Sequence, residues 1–171
     1  MTRCRSLALA LFASAALCGC VLHPLYTGGG NGAVAQTLAS VEVAPIEGDA
    51  GWFVRTALSD RLRANGQAGA ARYRVNVVLD DGITGYGVRA DDSVTRERRT
   101  LRARWQLVEA STGATVVDAS AASDTGIDVV GSEFATIAAE RTALEQLAQA
   151  LADQIATRIA LYARNRTPEG D

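Results

Sequence analysis

Between Arg96 and Leu107 the chain alternates with a period of two. Leu101, Ala103, Trp105 and Leu107 hold one parity; Arg96, Arg98, Thr100, Arg102 and Arg104 hold the other. Successive side chains of a strand point to opposite faces. The segment is therefore a strand with one apolar face and one strongly cationic face, because a helix would scatter both sets around its circumference. A sheet built of such strands packs one face against other elements and leaves its other face open.

The neighbouring segments supply partners. Arg72 to Asp80 alternates in the same way, with Tyr73, Val75, Val77 and Leu79 against Arg72, Arg74, Asn76 and Asp80. Asp81-Gly82 either turns the chain or lets the strand run on irregularly through Tyr86. The long strand covers Ser93 to Glu109, Ser111-Thr112-Gly113 turns it, and Ala114 to Ala122 returns, forming a hairpin. Asp124 to Gly131 is expected to be a loop. Leu38 to Ile46 gives a first strand, with Val41 and Val43 on one face and Pro45 marking its end or an edge.

Two segments carry helical spacing. Gly51 to Ala64 sets Phe53, Val54, Ala57, Leu58 and Leu62 on one side, and Asn65-Gly66 offers a left-handed stop. Ser132 is a plausible N-cap for a long final helix. Its stripe is Leu144, Leu147, Leu151, Ile155, Ile159 and Tyr162, and to Tyr162 it would span about 45 Å at 1.5 Å per residue. Arg141, Glu145, Gln149, Asp153 and Arg158 interrupt the rest of its surface, so it is a packing element and not a membrane span. The order β-α-β-β-β-α predicts an α+β two-layer sandwich, with two helices on one face of a four-stranded sheet and the other face open.

The start of the chain reads as a secretion signal. Arg3 and Arg5 precede an apolar run, Ser6 to Leu17, too short for the roughly 20 residues a bilayer requires. Leu17-Cys18-Gly19-Cys20 resembles a lipobox, with Cys18 where Ala or Ser is usual. Residues 1–19 are then the signal peptide, and Cys20 receives a diacylglycerol thioether and an N-acyl chain. Two or three acyl chains anchor stably, at about 0.8 kcal/mol per buried CH₂. Val21 stands where lipoproteins kept in the inner membrane commonly have Asp, which favours the outer membrane. Residues 20–36, with Gly28-Gly29-Gly30-Asn31-Gly32, form a flexible tether. Residues 37–164 form one domain and 165–171 a disordered tail.

Composition narrows the function. Cys4 and Cys18 leave with the signal and Cys20 is consumed by lipid, so no thiol remains for disulfides, metal or catalysis. His23, the only histidine, lies beside the anchor and not in a rigid pocket. Asp80-Asp81 and Asp91-Asp92 lack the ligand spacing of a calcium loop. No enzyme, metal site or soluble cofactor is indicated. Of 17 basic residues, all Arg, Arg3 and Arg5 leave with the signal, so the mature chain has 15 against 19 acidic ones. That balance and the compartment argue against nucleic acid.

The Arg stripe is the candidate binding site: Arg96, Arg98, Arg102 and Arg104, enlarged by Arg72 and Arg74 if the two strands pair. Arg forks suit phosphate and carboxylate groups bidentately. The competing reading is a solvated face whose arginines are compensated by Asp and Glu from neighbouring strands.

A resemblance gives the stripe a partner. Cys20-Val21-Leu22-His23-Pro24-Leu25-Tyr26 is similar to the Cys-Gly-Phe-x-Pro-Leu-Tyr opening of the lipopolysaccharide-assembly lipoproteins, the LptE family, departing from it at Val21 and Leu22. Thr95-Arg96-Glu97-Arg98, Thr112-Gly113, Ser132-Glu133-Phe134-Ala135 with Ala139-Glu140, and Leu151-Ala152-Asp153-Gln154-Ile155 fit its pattern too, most closely that of the alphaproteobacterial branch. The resemblance implies two helices on a four-stranded sheet and no enzymatic activity. It implies binding of lipopolysaccharide, seating as a plug in the lumen of the outer-membrane barrel LptD, and a place in the translocon that delivers lipopolysaccharide to the cell surface. Arg96 and Arg98 carry over best as ligand-contacting residues. The alternative is a periplasmic auxiliary or binding lipoprotein of another lipid-transport system.

Overall fold

The computed structural model describes residues 32–64, 70–88, 94–129 and 131–166. The signal segment, Cys20, His23, the glycines at 28–30, the Asn65-Gly66 stop, Asp91-Asp92 and residues 167–171 lie outside these. The element order is α1 (Ala33–Ala39), β1 (Val41–Val43), α2 (Asp49–Arg63), β2 (Tyr73–Val88), β3 (Val94–Glu109), β4 (Thr115–Asp128) and α3 (Glu133–Arg166). The four strands lie in sequence order, β1-β2-β3-β4. β1 runs parallel to β2 through the α2 crossover, while β2, β3 and β4 are antiparallel. The expected α+β sandwich is therefore the observed architecture, with a third helix added.

The additions and shifts have simple causes. Residues 33–36, expected in the tether, open α1, because Val34, Ala35, Leu38 and Ala39 share a face that buries against α2 and α3. Leu38 is consequently helical, and the first strand shortens to Val41–Val43, although Ala44 N still donates to Val75 O at 3.0 Å. β2 does not turn at Asp81-Gly82; it runs unbroken to Val88, because β3 pairs with it along its whole length. The loop expected from Asp124 is strand as far as Asp128, held by the same partner. At the far end α3 continues through Asn165 and Arg166, residues expected in the tail.

The helices share one face of the sheet. Trp105, Leu101 and Leu107 on β3 and Val75 on β2 are fully enclosed by Leu58 and Leu62 of α2 and by Leu151, Ile155 and Ile159 of α3. Alanines at 148, 152, 156 and 160 alternate with the large residues along the buried side of α3. They let the helix sit close to both sheet and α2. Ser132 Oγ accepts from Ala135 N at 3.5 Å, a long version of the expected N-cap. None of the described helices is long and apolar enough to cross a membrane.

Candidate functional site

The side chains of Arg96, Arg98, Arg102 and Arg104 stand on the face of β3 that carries no helix, as the alternation requires. All four are exposed, at 59–72% of their side-chain surface. Positions two apart on a strand lie about 6.8 Å apart, so the row is about 27 Å long. Arg74 is on the same face but opposite Val108, four residues along β2 from the position facing Arg104. It stands apart from the row and meets Glu42 at 3.4 Å. Arg72 precedes β2, where its N donates to Ser40 O at 2.9 Å and its guanidinium lies 5.9 Å from the Tyr73 ring. The structure thus brings four of the six candidate arginines together.

No acid interrupts the row along β3, but acids flank it from both sides. Arg96 meets Asp128 at 3.0 Å, Arg98 meets Asp124 at 3.6 Å and Arg104 meets Asp118 at 3.2 Å, all on β4. Arg102 faces Asp80 of β2 at 3.9 Å. Charges therefore alternate across the strands, and the site is a charge ladder. Asp118, Asp124 and Asp128 share one parity, which is visible in the sequence. Their pairing is not, because it depends on the register between strands and because the expected strand stops at Ala122, short of Asp124 and Asp128. Hydrogen bonds from Gln106 and then Arg104 hold the Asp118 carboxyl below the ordinary aspartate range.

A guanidinium carries five N–H donors in a planar fork. The aspartate bonds engage Nε of Arg96 and Nη2 of Arg104. Each fork thus has further donors with which to meet an incoming oxyanion without giving up its carboxylate. Tyr86 belongs to the same patch: its ring lies 5.6 Å from the Arg98 guanidinium. A Cβ at Gly126 would come within 3.1 Å of the Tyr86 hydroxyl, so glycine there lets the ring lie across β3.

The helix-covered side holds a second polar feature that the alternation alone does not identify. Arg99 shares parity with Leu101, and its guanidinium forms a two-bond fork with Asp81. A groove of about 520 Å³ beside it is lined by Trp52, Phe53, Ile137 and Leu144. Among the described residues no cluster of three or more His, Cys, Asp or Glu side chains is arranged to hold a metal ion.

Comparison with known proteins decides the family. The model of the LptE family, described as lipopolysaccharide-assembly, matches residues 38–159. The chain belongs to this family. The match spans β1 through most of α3 and so includes the whole charge ladder. The family is a non-enzymatic one of lipopolysaccharide assembly. A comparison with the curated proteins finds no match. Among solved structures, a candidate lipoprotein of Caulobacter crescentus is 27% identical. It superposes with a TM-score of 0.63, covering 78% of this chain and 97% of that one. The rare lipoprotein B of Shewanella oneidensis is 12% identical with a TM-score of 0.56, covering 73% and 95%. Lipoprotein B of Nitrosomonas europaea is 14% identical with a TM-score of 0.56, covering 74% and 88%. The last two show a shared fold.

Proposed function

We propose that this protein is an outer-membrane lipoprotein of the lipopolysaccharide translocon. It is anchored through acyl chains on Cys20, seated in the lumen of the LptD barrel facing the periplasm, and binds lipopolysaccharide on its open sheet face. It needs no cofactor and performs no covalent chemistry. The observation that carries this reading is the family match over residues 38–159, and the exposed guanidinium row supports it. Phosphates and carboxylates are the groups an Arg fork recognises best, and the row presents four such forks in one line.

Affinity isolation of the full-length lipoprotein from outer membranes is the test. The proposal expects a detergent-resistant complex with a large β-barrel, together with bound lipopolysaccharide. Recovery of the lipoprotein with components of a different lipid transporter, and without a barrel, would overturn it.

A further inference from the structure

The sheet ends on β4, and among the described residues no strand lies against its outer edge. Val129 N donates to Thr95 O at 3.0 Å, which fixes the hydrogen-bond parity of the β3–β4 pair. Odd-numbered residues of β4 bond to β3, and even-numbered residues from Asp118 to Asp128 aim N–H and C=O away from the sheet. Gln154 of α3 agrees with this parity, because its Nε2 donates to Ala122 O at 3.1 Å. Natural edges are usually blunted by charged side chains, lysine above all, by proline or by bulges. β4 has no proline over its 14 residues, its charged side chains are aspartates engaged with the arginines of β3, and its register shift lies near the hairpin, at Leu107/Val108.

The open face defines what the next strand would carry. Glu42 on β1 faces Arg74 on β2, Asp80 on β2 faces Arg102 on β3, and the β3 arginines face aspartates on β4. The sheet stops on an acidic column of Asp118, Asp124 and Asp128, with no strand on its outer side among the described residues. A basic residue there continues the alternation, and opposite charges across strands stabilise a pair while like charges oppose it. A second copy of β4 meets this condition poorly: with Ala121 facing its own counterpart, Asp118 would face Asp124. On the helix side, Ala119, Ala121, Trp105, Gln154 and Arg158 border a shallow hollow of about 320 Å³ beside the same edge. It has room for small side chains at the intervening positions.

We propose that the outer edge of β4 is a strand-docking site. Its occupant is an extended polypeptide with Arg or Lys at alternate positions and small apolar residues between them, added to the sheet by backbone hydrogen bonds. The inference stands apart from the barrel reading, since it rests on edge geometry and charge alone.

The experiment is residue-resolved amide hydrogen exchange on the full-length protein in detergent micelles. The probe is a ten-residue peptide alternating arginine with alanine. Exchange at the outward N–H groups of Ser120, Ala122, Asp124 and Gly126 should slow by roughly tenfold or more, while the odd-numbered amides of β4 keep their rates. A peptide alternating glutamate with alanine should have no effect. The arginine peptide N-methylated on its ladder-facing nitrogens should also have none. Ala122→Pro removes one outward N–H, leaves the β3 ladder intact and should abolish the protection in a protein that still unfolds cooperatively. The proposal is overturned if the N-methylated peptide protects equally, which would be charge attraction alone. It is overturned also if protection falls on the outward amides of β2, or if saturating arginine peptide slows nothing on β4.

Discussion

Arg99 grips Asp81 with two bonds, Nε at 2.9 Å and Nη2 at 2.6 Å, and its Nη1 donates to the carbonyl oxygen of Glu140 at 2.9 Å. One side chain thus joins β3, β2 and α3. The pair is shielded, with side-chain exposures of 13% and 25%. It ties the long ends of the strands to the first half of α3. The Asp81 bond also holds the guanidinium more firmly protonated against the opposing effect of burial.

Asp81→Ala leaves a shielded guanidinium without its carboxylate. It should cost about 1.5–3 kcal/mol, the range for hydrogen bonds to charged groups. This lies below the 3–5 kcal/mol of a fully buried pair because some water still reaches the site. Replacing both partners, Arg99→Met with Asp81→Leu, should recover most of that loss in chemical denaturation. A double variant no better than the single one would show that the ion pair is not the source of the cost.

Gly51→Ala should be strongly destabilising although Gly51 lies inside a helix, where alanine is ordinarily better by about 1 kcal/mol. A Cβ at Gly51 would stand 2.7 Å from the carbonyl carbon of Ile46, and backbone cannot yield as a flexible side chain does. The sign of the change in thermal midpoint is the measurement. A rise would mean that the β1–α2 connection shifts freely.

Asp118 gives a pH dependence of definite sign. Its folded pKa lies below its unfolded value, so the ionised carboxylate favours the folded state. That contribution is fully present above the unfolded value of about 3.9 and is lost as pH falls through the lowered folded value. Asp118→Asn should lower stability slightly at neutral pH, the loss being small because the group is solvated, and should make no difference below the folded value, so that the acid limb flattens. A loss that persists undiminished in acid, where Asp118 is protonated, would contradict this assignment.

Much of this was legible in the sequence, and the omissions share a cause. Periodicity placed Trp105, Leu101 and Tyr73 in the core, set the four arginines on the open face, and fixed the buried stripe of α3, because each depends only on local alternation. The ion pairs depend on register between strands, which alternation does not supply. The sequence from Asp124 to Gly131 reads as a loop, yet β3 holds Asp124 and Asp128 in strand by tertiary pairing. The role of Arg99 is not legible, because a cation on an apolar face has meaning only beside its partner, and Asp81 sits on another strand. Residues 33–36 read as tether because four helical residues after a glycine run carry no visible period.

The guanidinium row is the surface proposed to receive lipopolysaccharide. From the sequence alone, losing two charge-assisted contacts predicts a weakening of roughly 10²-fold or more. The ladder lowers that expectation, since Asp124 and Asp128 already hold these forks and exposed pairs contribute only about 0–1 kcal/mol each. The most direct measurement is the affinity of purified lipopolysaccharide for the folded protein at fixed salt, in two double variants. Arg96→Ala with Arg98→Ala should weaken binding about tenfold, or 1.4 kcal/mol. Asp124→Asn with Asp128→Asn frees the same two forks and should strengthen it. Unchanged affinity in both, with thermal unfolding intact, would rule out the row as the lipopolysaccharide site and leave the ladder as a solvated, self-compensated face.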